Sequence, residues 1–251
     1  MDSYVLITGA SSGFGAATAQ IFAAKGHGLV LLARRKDRLE DLAKSLPDTI
    51  ETHILVADVR EEQAVSNAID GLPAQVKNGL TILINNAGLA VGKGPIDEGV
   101  LDDWNRMVDT NLKGLLYVSR AVIPIFKSNG RGHIVNVASI AGKEVYPGGN
   151  VYCATKHAVD ALSRAMRIDL VNHKIKVSNV APGAAETEFS VVRFKGDEKL
   201  AKSVYDGYDP LVAEDIAETI WFVCSRPEHV NVNDLTIMAT AQASAAVFAE
   251  K

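Results

Sequence analysis

The sequence predicts an α/β fold: a doubly wound parallel sheet with helices on both faces. Three observations predict it. Short runs rich in Val, Ile and Leu, apolar on both faces, alternate with helical patterns along the chain. A glycine-rich turn joins the first such run to the first helix. No Pro- or Gly-rich linker divides the 251 residues, so the expectation is a single domain over 1–251.

In chain order, YVLIT (4–8) reads as the first strand, and a helix follows over 13–25. The next strand is expected over 29–33, then a helix over 37–46, a strand over 52–57 and a helix over 61–69. TILIN (81–85) is the fourth strand, followed by one long helix over 102–129. HIVNVA (133–138) is the fifth strand, the helix over 151–172 comes next, and KVSNVA (176–181) is the sixth strand. A helix over 213–225 and a strand over 235–238 complete the pattern. Strands apolar on both faces belong in a covered parallel sheet, and strand–helix alternation implies right-handed crossovers. The stretch 183–209 lacks a clean period and is expected as an irregular substrate lid. The small-residue tail at 239–251 shows no evident partner within the domain.

A hydrophobic content of 47% supports a sizeable core. The formal net charge of −4 argues against a basic field for nucleic acid. The first residues lack the pattern of a signal peptide, and no apolar run is long enough to span a bilayer. Cys153 and Cys224 have neither metal-ligand nor redox spacing, and the six histidines show no ligand spacing. The expectation is a cytoplasmic chain with no metal, nucleic acid or membrane among its partners.

Thr8-Gly9-Ala10-Ser11-Ser12-Gly13-Phe14-Gly15 runs from strand to helix. Glycines let such a turn approach a phosphate, and the helix N-terminus offers unpaired N–H groups. The second strand ends at Ala33-Arg34-Arg35, where a reader of a ribose 2′-hydroxyl would be acidic. Two guanidiniums suit a 2′-phosphate instead, which points to NADP(H). Asp58 is placed to accept from the adenine amino group, and Asn85-Asn86-Ala87-Gly88 closes the fourth strand at the ribose level. Tyr152 and Lys156 in GNVYCATK fall on one helix face.

Together TGASSGFG (8–15), NNAG (85–88), Asn111, Ser139, YCATK (152–156) and Pro182-Gly183 resemble the short-chain dehydrogenase/reductase family across nearly the whole chain. The resemblance implies a Rossmann-like fold with seven parallel strands, a nicotinamide cofactor and a Ser139–Tyr152–Lys156 catalytic set. Phe14 stands where the family more often has Ile or Leu, and Thr187 follows PGAAE where PG-x-V-x-T is usual. GGNVYCATK, TEFSVVRFKGD (187–197), HVNVN (229–233) and Gln242 are similar to the NADP-dependent 3-hydroxy acid dehydrogenases, which act on serine and allo-threonine. The sulfoacetaldehyde reductases, which form isethionate, are similar in the same segments.

The residues then take roles. Tyr152 is the expected acid/base, its phenol lowered toward neutrality by Lys156 and the oxidised nicotinamide. Lys156 also holds the nicotinamide ribose, Ser139 orients the substrate oxygen, and the resemblance gives Asn111 a relay water. The implied cofactor contacts extend to Gly9, Ser11, Ser12, Gly13, Phe14, Gly15, Val59, Asn85, Ala87, Gly88, Pro182, Gly183 and Thr187. A small anionic hydroxy acid, sulfonate or aldehyde needs a cation in the lid, which Arg193 and Lys195 offer, with Tyr146 lining the pocket and Gln242 reaching in from the tail. The resemblance implies a homotetramer buried through the helices around 102–129 and 151–172, and Gln242 is expected at the substrate site of its own or a neighbouring subunit. The competing expectations are a carrier-bound acyl ketoreductase and an NADP-binding sensor without catalysis.

Overall fold

The computed structural model describes residues 3–249. Its sheet is parallel throughout and contains β1 (Tyr4–Thr8), β2 (Gly28–Ala33), β3 (Thr52–Val56), β4 (Leu80–Asn85), β5 (Gly132–Val137), β6 (Ile175–Pro182) and β7 (Asp234–Ile237). The strand order is β3-β2-β1-β4-β5-β6-β7. The chain reverses direction across the sheet between β1 and β4, and a crevice opens there beyond the carboxyl ends of the strands. This is the expected Rossmann-like fold, with each strand within one residue of its expected ends.

The alternation of side chains along a strand explains why the runs are apolar throughout. In β1, Tyr4 and Leu6 enter one core while Val5 and Ile7 enter the other. In β2, Val30 and Leu32 face the first core and Leu29 and Leu31 the second. The first core is closed by α3 (Glu62–Asp70), α4 (Ala74–Gly79), α6 (Leu115–Asn129) and α7 (Asn150–Leu170), through residues such as Ile69, Val76, Phe126 and Val159. The second is closed by α1 (Gly13–Ala24), α2 (Lys36–Ser45) and α10 (Ala213–Cys224), through Phe22, Leu39 and Ile220. Among the described residues no helix is long and apolar enough to cross a membrane.

Four expectations are corrected. The helix expected over 102–129 is broken into α5 (Leu101–Val108) and α6 by a wide π turn at Asp109–Gly114. The turn carries Asn111 inward, and Gly114 meets Val59 so closely that an added Cβ would lie 2.8 Å from the valine Cγ2. The short α4 escaped notice because six residues with one buried branched side chain, Val76, show no period. The stretch 183–209, expected as irregular, holds α8 (Glu188–Arg193) and α9 (Glu198–Ser203). The Thr187 hydroxyl accepts from Phe189 N and the Asp197 carboxylate from Leu200 N, so each helix has a side-chain N-cap. The segment is pinned at its neck, where Glu186 N donates to Leu211 O at 2.8 Å.

The tail also departs from expectation, because it folds back on its own chain. Ala249 N donates to Ala241 O, and the Phe248 ring lies 5.0 Å from that of Tyr208. Gln242 is buried; its Oε1 accepts from Ala184 N at 2.8 Å and its Nε2 donates to Ser244 O at 3.0 Å. Each end of the amide thus makes one hydrogen bond within its own chain, which ties the tail to the end of β6. Gln242→Ala should therefore lower stability by about 1–3 kcal/mol, because a buried N–H loses its acceptor. Thermal melting checks this; a raised KM at unchanged melting temperature would instead return Gln242 to the substrate pocket.

Candidate active site

The phosphate end is built by β1 and the start of α1. Gly9 has φ +66°, and a Cβ there would stand 2.9 Å from the Asn86 Nδ2. A Cβ on Gly15 would lie 2.4 Å from the Gly9 carbonyl oxygen, so the turn packs directly on the helix it starts. Asn86 locks the turn to β4 by donating from Nδ2 to the Thr8 carbonyl at 2.9 Å. A cleft of about 300 Å³ opens above it.

Most of the expected cofactor residues line this one cleft: Gly9, Ser11, Ser12, Gly13, Phe14, Arg34, Arg35, Asp58, Val59, Ala87, Gly88, Tyr152, Lys156 and Thr187. Gly15 lies beneath the turn rather than at the surface of the cleft. The Asn85 side chain is turned into the sheet, where its Nδ2 donates to Ser119 Oγ and Asn136 Oδ1, both at 2.9 Å. The neighbouring Asn86 takes the place beside the cleft, together with Leu89 and Thr110. Pro182 and Gly183 end β6 outside the cleft. Pro182 O accepts from Ser139, and a Cβ on Gly183 would strike Gln242.

The residues of the cleft fit a dinucleotide phosphate. Ser12 does not cap α1 with its side chain; its hydroxyl instead accepts from Arg35 Nη2 at 2.8 Å. The same guanidinium reaches Ser11 Oγ at 3.1 Å, which fixes a cation beside the glycine turn and the helix N-terminus. Arg34 stands 3.6 Å from Asp58 and is largely exposed. Asp58 lines the cleft and is held there by Arg60, through Nε at 3.0 Å and Nη2 at 2.6 Å. Burial alone would raise the Asp58 carboxyl, and the Arg60 hydrogen bonds outweigh it to hold the group low. Sequence reasoning missed Arg38 and Glu188. Glu188, the first residue of α8, pairs with both Arg38 and Arg35, and the Arg35 contact is 3.2 Å.

At the other end, Ser139 follows β5 and caps a short helical turn, accepting from Ala141 N at 3.1 Å and donating to Pro182 O at 3.4 Å. Tyr152 and Lys156 are buried in the first turns of α7. Lys156 Nζ donates to Val137 O at 2.8 Å and stands 5.9 Å from the centre of the Tyr152 ring. Burial pushes the Lys156 amine down to about 8.

In the ligand-free chain the Tyr152 phenol is pushed up. Burial is the main cause and Tyr146 adds to it, while Ser139 and Arg193 act in the opposite direction. The Lys156 ammonium is not among the groups that offset this loss of water. Asn111 Oδ1 accepts from Leu89 N and its Nδ2 donates to Leu89 O, both at 2.8 Å, and to Thr155 Oγ1 at 3.1 Å.

The lid cations separate. Lys195 Nζ pairs with the buried Asp103 carboxylate at 2.7 Å, so it is not the free anion anchor expected of it. Arg193 faces inward, its guanidinium carbon 5.3 Å from the Tyr146 ring centre and 5.9 Å from that of Tyr152. Its Nε and Nη2 are buried without an acceptor from the chain, and so is the Tyr146 hydroxyl. Burial also pushes the Tyr146 phenol up.

Comparison with known proteins gives a consistent picture. The profile of the short chain dehydrogenase family matches residues 3–198. Sulfoacetaldehyde reductase 2 of Chromohalobacter salexigens is 46% identical over 244 residues, covering 97% of this chain and 96% of its own. The NADP-dependent 3-hydroxy acid dehydrogenase YdfG of Escherichia coli is 42% identical, covering 96% of each. Among solved structures, the closed form of a serine dehydrogenase complexed with NADP+ superposes with a TM-score of 0.92 at 41% identity, covering 99% of both chains.

The buried Lys156 makes a stability prediction. Its amine is lowered from 10.5 to about 8 on folding, so below pH 8 the native state holds a charge that the unfolded chain holds more easily. The penalty is fully present below pH 8 and fades as pH rises toward 10.5, with a ceiling on the order of 3 kcal/mol. Lys156→Met should therefore be more stable than the parent at pH 7, with the gap closing between pH 8 and 10. Ligand-free melting curves across that range check it; a gap independent of pH would contradict it.

Proposed function

The chain belongs to the short chain dehydrogenase family and is an NADP(H)-dependent oxidoreductase of small hydroxy compounds; we propose that its substrates are anionic, hydroxy acids or hydroxy sulfonates and the matching aldehydes. One observation carries the proposal: the half-buried Arg193 guanidinium, whose Nε and Nη2 are buried without an acceptor, stands 5.9 Å from the centre of the Tyr152 ring. Burying an unpaired charge is costly, and a carboxylate or sulfonate on the substrate meets that guanidinium as a fork. The Tyr146 hydroxyl beside it offers one more hydrogen bond.

When bound, the nicotinamide gives or takes hydride at the carbinol carbon, and the chain manages the oxygen's proton and the distant charge. The glycine turn and the start of α1 hold the pyrophosphate, Arg34 and Arg35 the 2′-phosphate, and Lys156 the ribose hydroxyls. Tyr152, raised by burial, rests as a neutral phenol and is loaded to give its proton to the substrate oxygen during reduction. In oxidation the same oxygen takes the proton back. Ser139 orients the substrate oxygen from the end of β5. Asn111 Oδ1 and Lys156 Nζ both border Gly88, 3.3 and 3.5 Å from where a Cβ on it would stand, and the reading gives this pair the relay water.

The reading includes a cytoplasmic homotetramer. Leu116 on α6, Ile168 on α7 and Val171 just beyond it are exposed apolar residues on the helices expected between subunits. It also takes 183–209 as a mobile lid within a single domain.

Two variants test the chemistry. Arg193→Ala should raise KM for the anionic aldehyde at least about tenfold, the equivalent of about 1.4 kcal/mol, while an uncharged aldehyde of the same size changes little. Carboxylate and sulfonate aldehydes measured side by side rank the two ends, and equal losses on charged and uncharged substrates would remove Arg193 as the anchor. Tyr152→Phe should bind NADPH near-normally and lose about 10²-fold or more in turnover; retained turnover would end its acid/base role.

A further inference from the structure

Three guanidiniums, not two, gather at the mouth of the cleft, and a carboxylate already sits among them. Glu188 opens α8 and crosses the cleft to pair with Arg35 and Arg38. Arg38 extends the cluster one helical turn beyond the Arg34-Arg35 pair read from the sequence. The two arginines hold the Glu188 carboxyl below its ordinary range, with the Arg38 hydrogen bond the largest cause. Arg35 is thus shared between Ser11 and Ser12 of the phosphate turn and Glu188 of the lid.

We propose that Glu188 is a specificity-determining residue, a built-in competitor that occupies the guanidiniums of the 2′-phosphate site and selectively weakens the hold on NADP(H). The inference rests on the 2′-phosphate reading of Arg34 and Arg35. A carboxylate and a phosphate monoester seek the same forked donors, so both cannot take the same N–H groups of Arg35 at once. Bringing a dianion beside a retained carboxylate adds like-charge repulsion. All three side chains are close to half exposed, so each ion pair is weak and displaceable rather than a permanent lock. NADH has no 2′-phosphate and does not meet this competition. The acid therefore trims the affinity that the arginine cluster would otherwise give, which favours release of the spent cofactor.

The test is a set of dissociation constants for NADPH and NADH, read by cofactor fluorescence with no substrate present. Glu188→Gln should tighten NADPH by about fivefold, the size of one or two exposed ion pairs, and leave NADH within about twofold. Glu188→Asp, which keeps the charge on a shorter arm, should tighten NADPH less than the Gln variant does. In an Arg35→Gln, Arg38→Gln background the effect of Glu188→Gln on NADPH should vanish. Ligand-free melting of each variant confirms that it is folded. Unchanged or weaker NADPH binding in Glu188→Gln overturns the proposal, and weaker binding would make Glu188 a support for Arg35. Equal tightening of both cofactors, or an effect that persists without the two arginines, overturns it as well. A parent protein with no preference for NADPH over NADH would instead remove the 2′-phosphate reading beneath it.

Discussion

The arrangement depends on one buried amine. Lys156 is buried on α7, and among the described residues its amine has a single hydrogen-bond acceptor, the Val137 carbonyl at the end of β5. An ammonium so placed is costly, and its lowered pKa measures that cost. The cost is tolerated because α7 and β5 cannot drift apart. A Cβ on Gly142 would lie 2.6 Å from the Lys156 carbonyl oxygen, so the turn that follows Ser139 rests directly on the helix backbone. Val159, Met166 and Leu170 then anchor the same helix in one of the two cores. Ser139, Tyr152 and Lys156 are held in register by this contact between strand end and helix.

Around that fixed centre the charges divide into two groups. Arg34, Arg35 and Arg38 lie at the outer mouth of the cleft, where water reaches them. Arg193 lies inside, with donors that water does not reach. The difference in solvation decides what each group can do. Exposed guanidiniums exchange partners at little cost, which suits a cofactor that must come and go. A desolvated one discriminates strongly between a charged substrate and its neutral analogue. The phenol between them is kept protonated by the same lack of water.

The strands were legible because burial on both faces leaves no polar alternation to confuse the reading, and Val5 and Leu6 show both faces in use. The catalytic set was legible because each member lies in a short motif. What failed depended on partners far away in sequence. Asn85 and Asn86 are adjacent and chemically identical, and only strand parity sends one into the sheet and the other to the cleft. Lys195 and Arg193 look alike in sequence until Asp103, some ninety residues earlier, claims one of them. The π turn had a faint signal, an amide and a glycine inside a helical run, but nothing in that signal tells a solvated Asn111 from one bonded to Leu89 and Thr155. The lid helices carried cap residues, Thr187 and Asp197, that a search for periodicity passes over.

The lid helix then joins the two groups of charge. Glu188 and Arg193 are the first and last residues of α8, a helix only six residues long. At 1.5 Å per residue it spans about 9 Å and is too short to bend. Its flanks are tied, by Glu186 to Leu211 at the neck and by the Gly92 N–H to the Arg193 carbonyl at 3.0 Å on the substrate side. Glu188, paired with the arginines at the cleft mouth, and Arg193, against Tyr146 and Tyr152, therefore sit on one short helix. Neither end of α8 shifts without moving the other. The contact of Arg193 with Tyr146 and Tyr152 is thereby linked, through one helix, to the ion pairs of Glu188 at the mouth of the cleft.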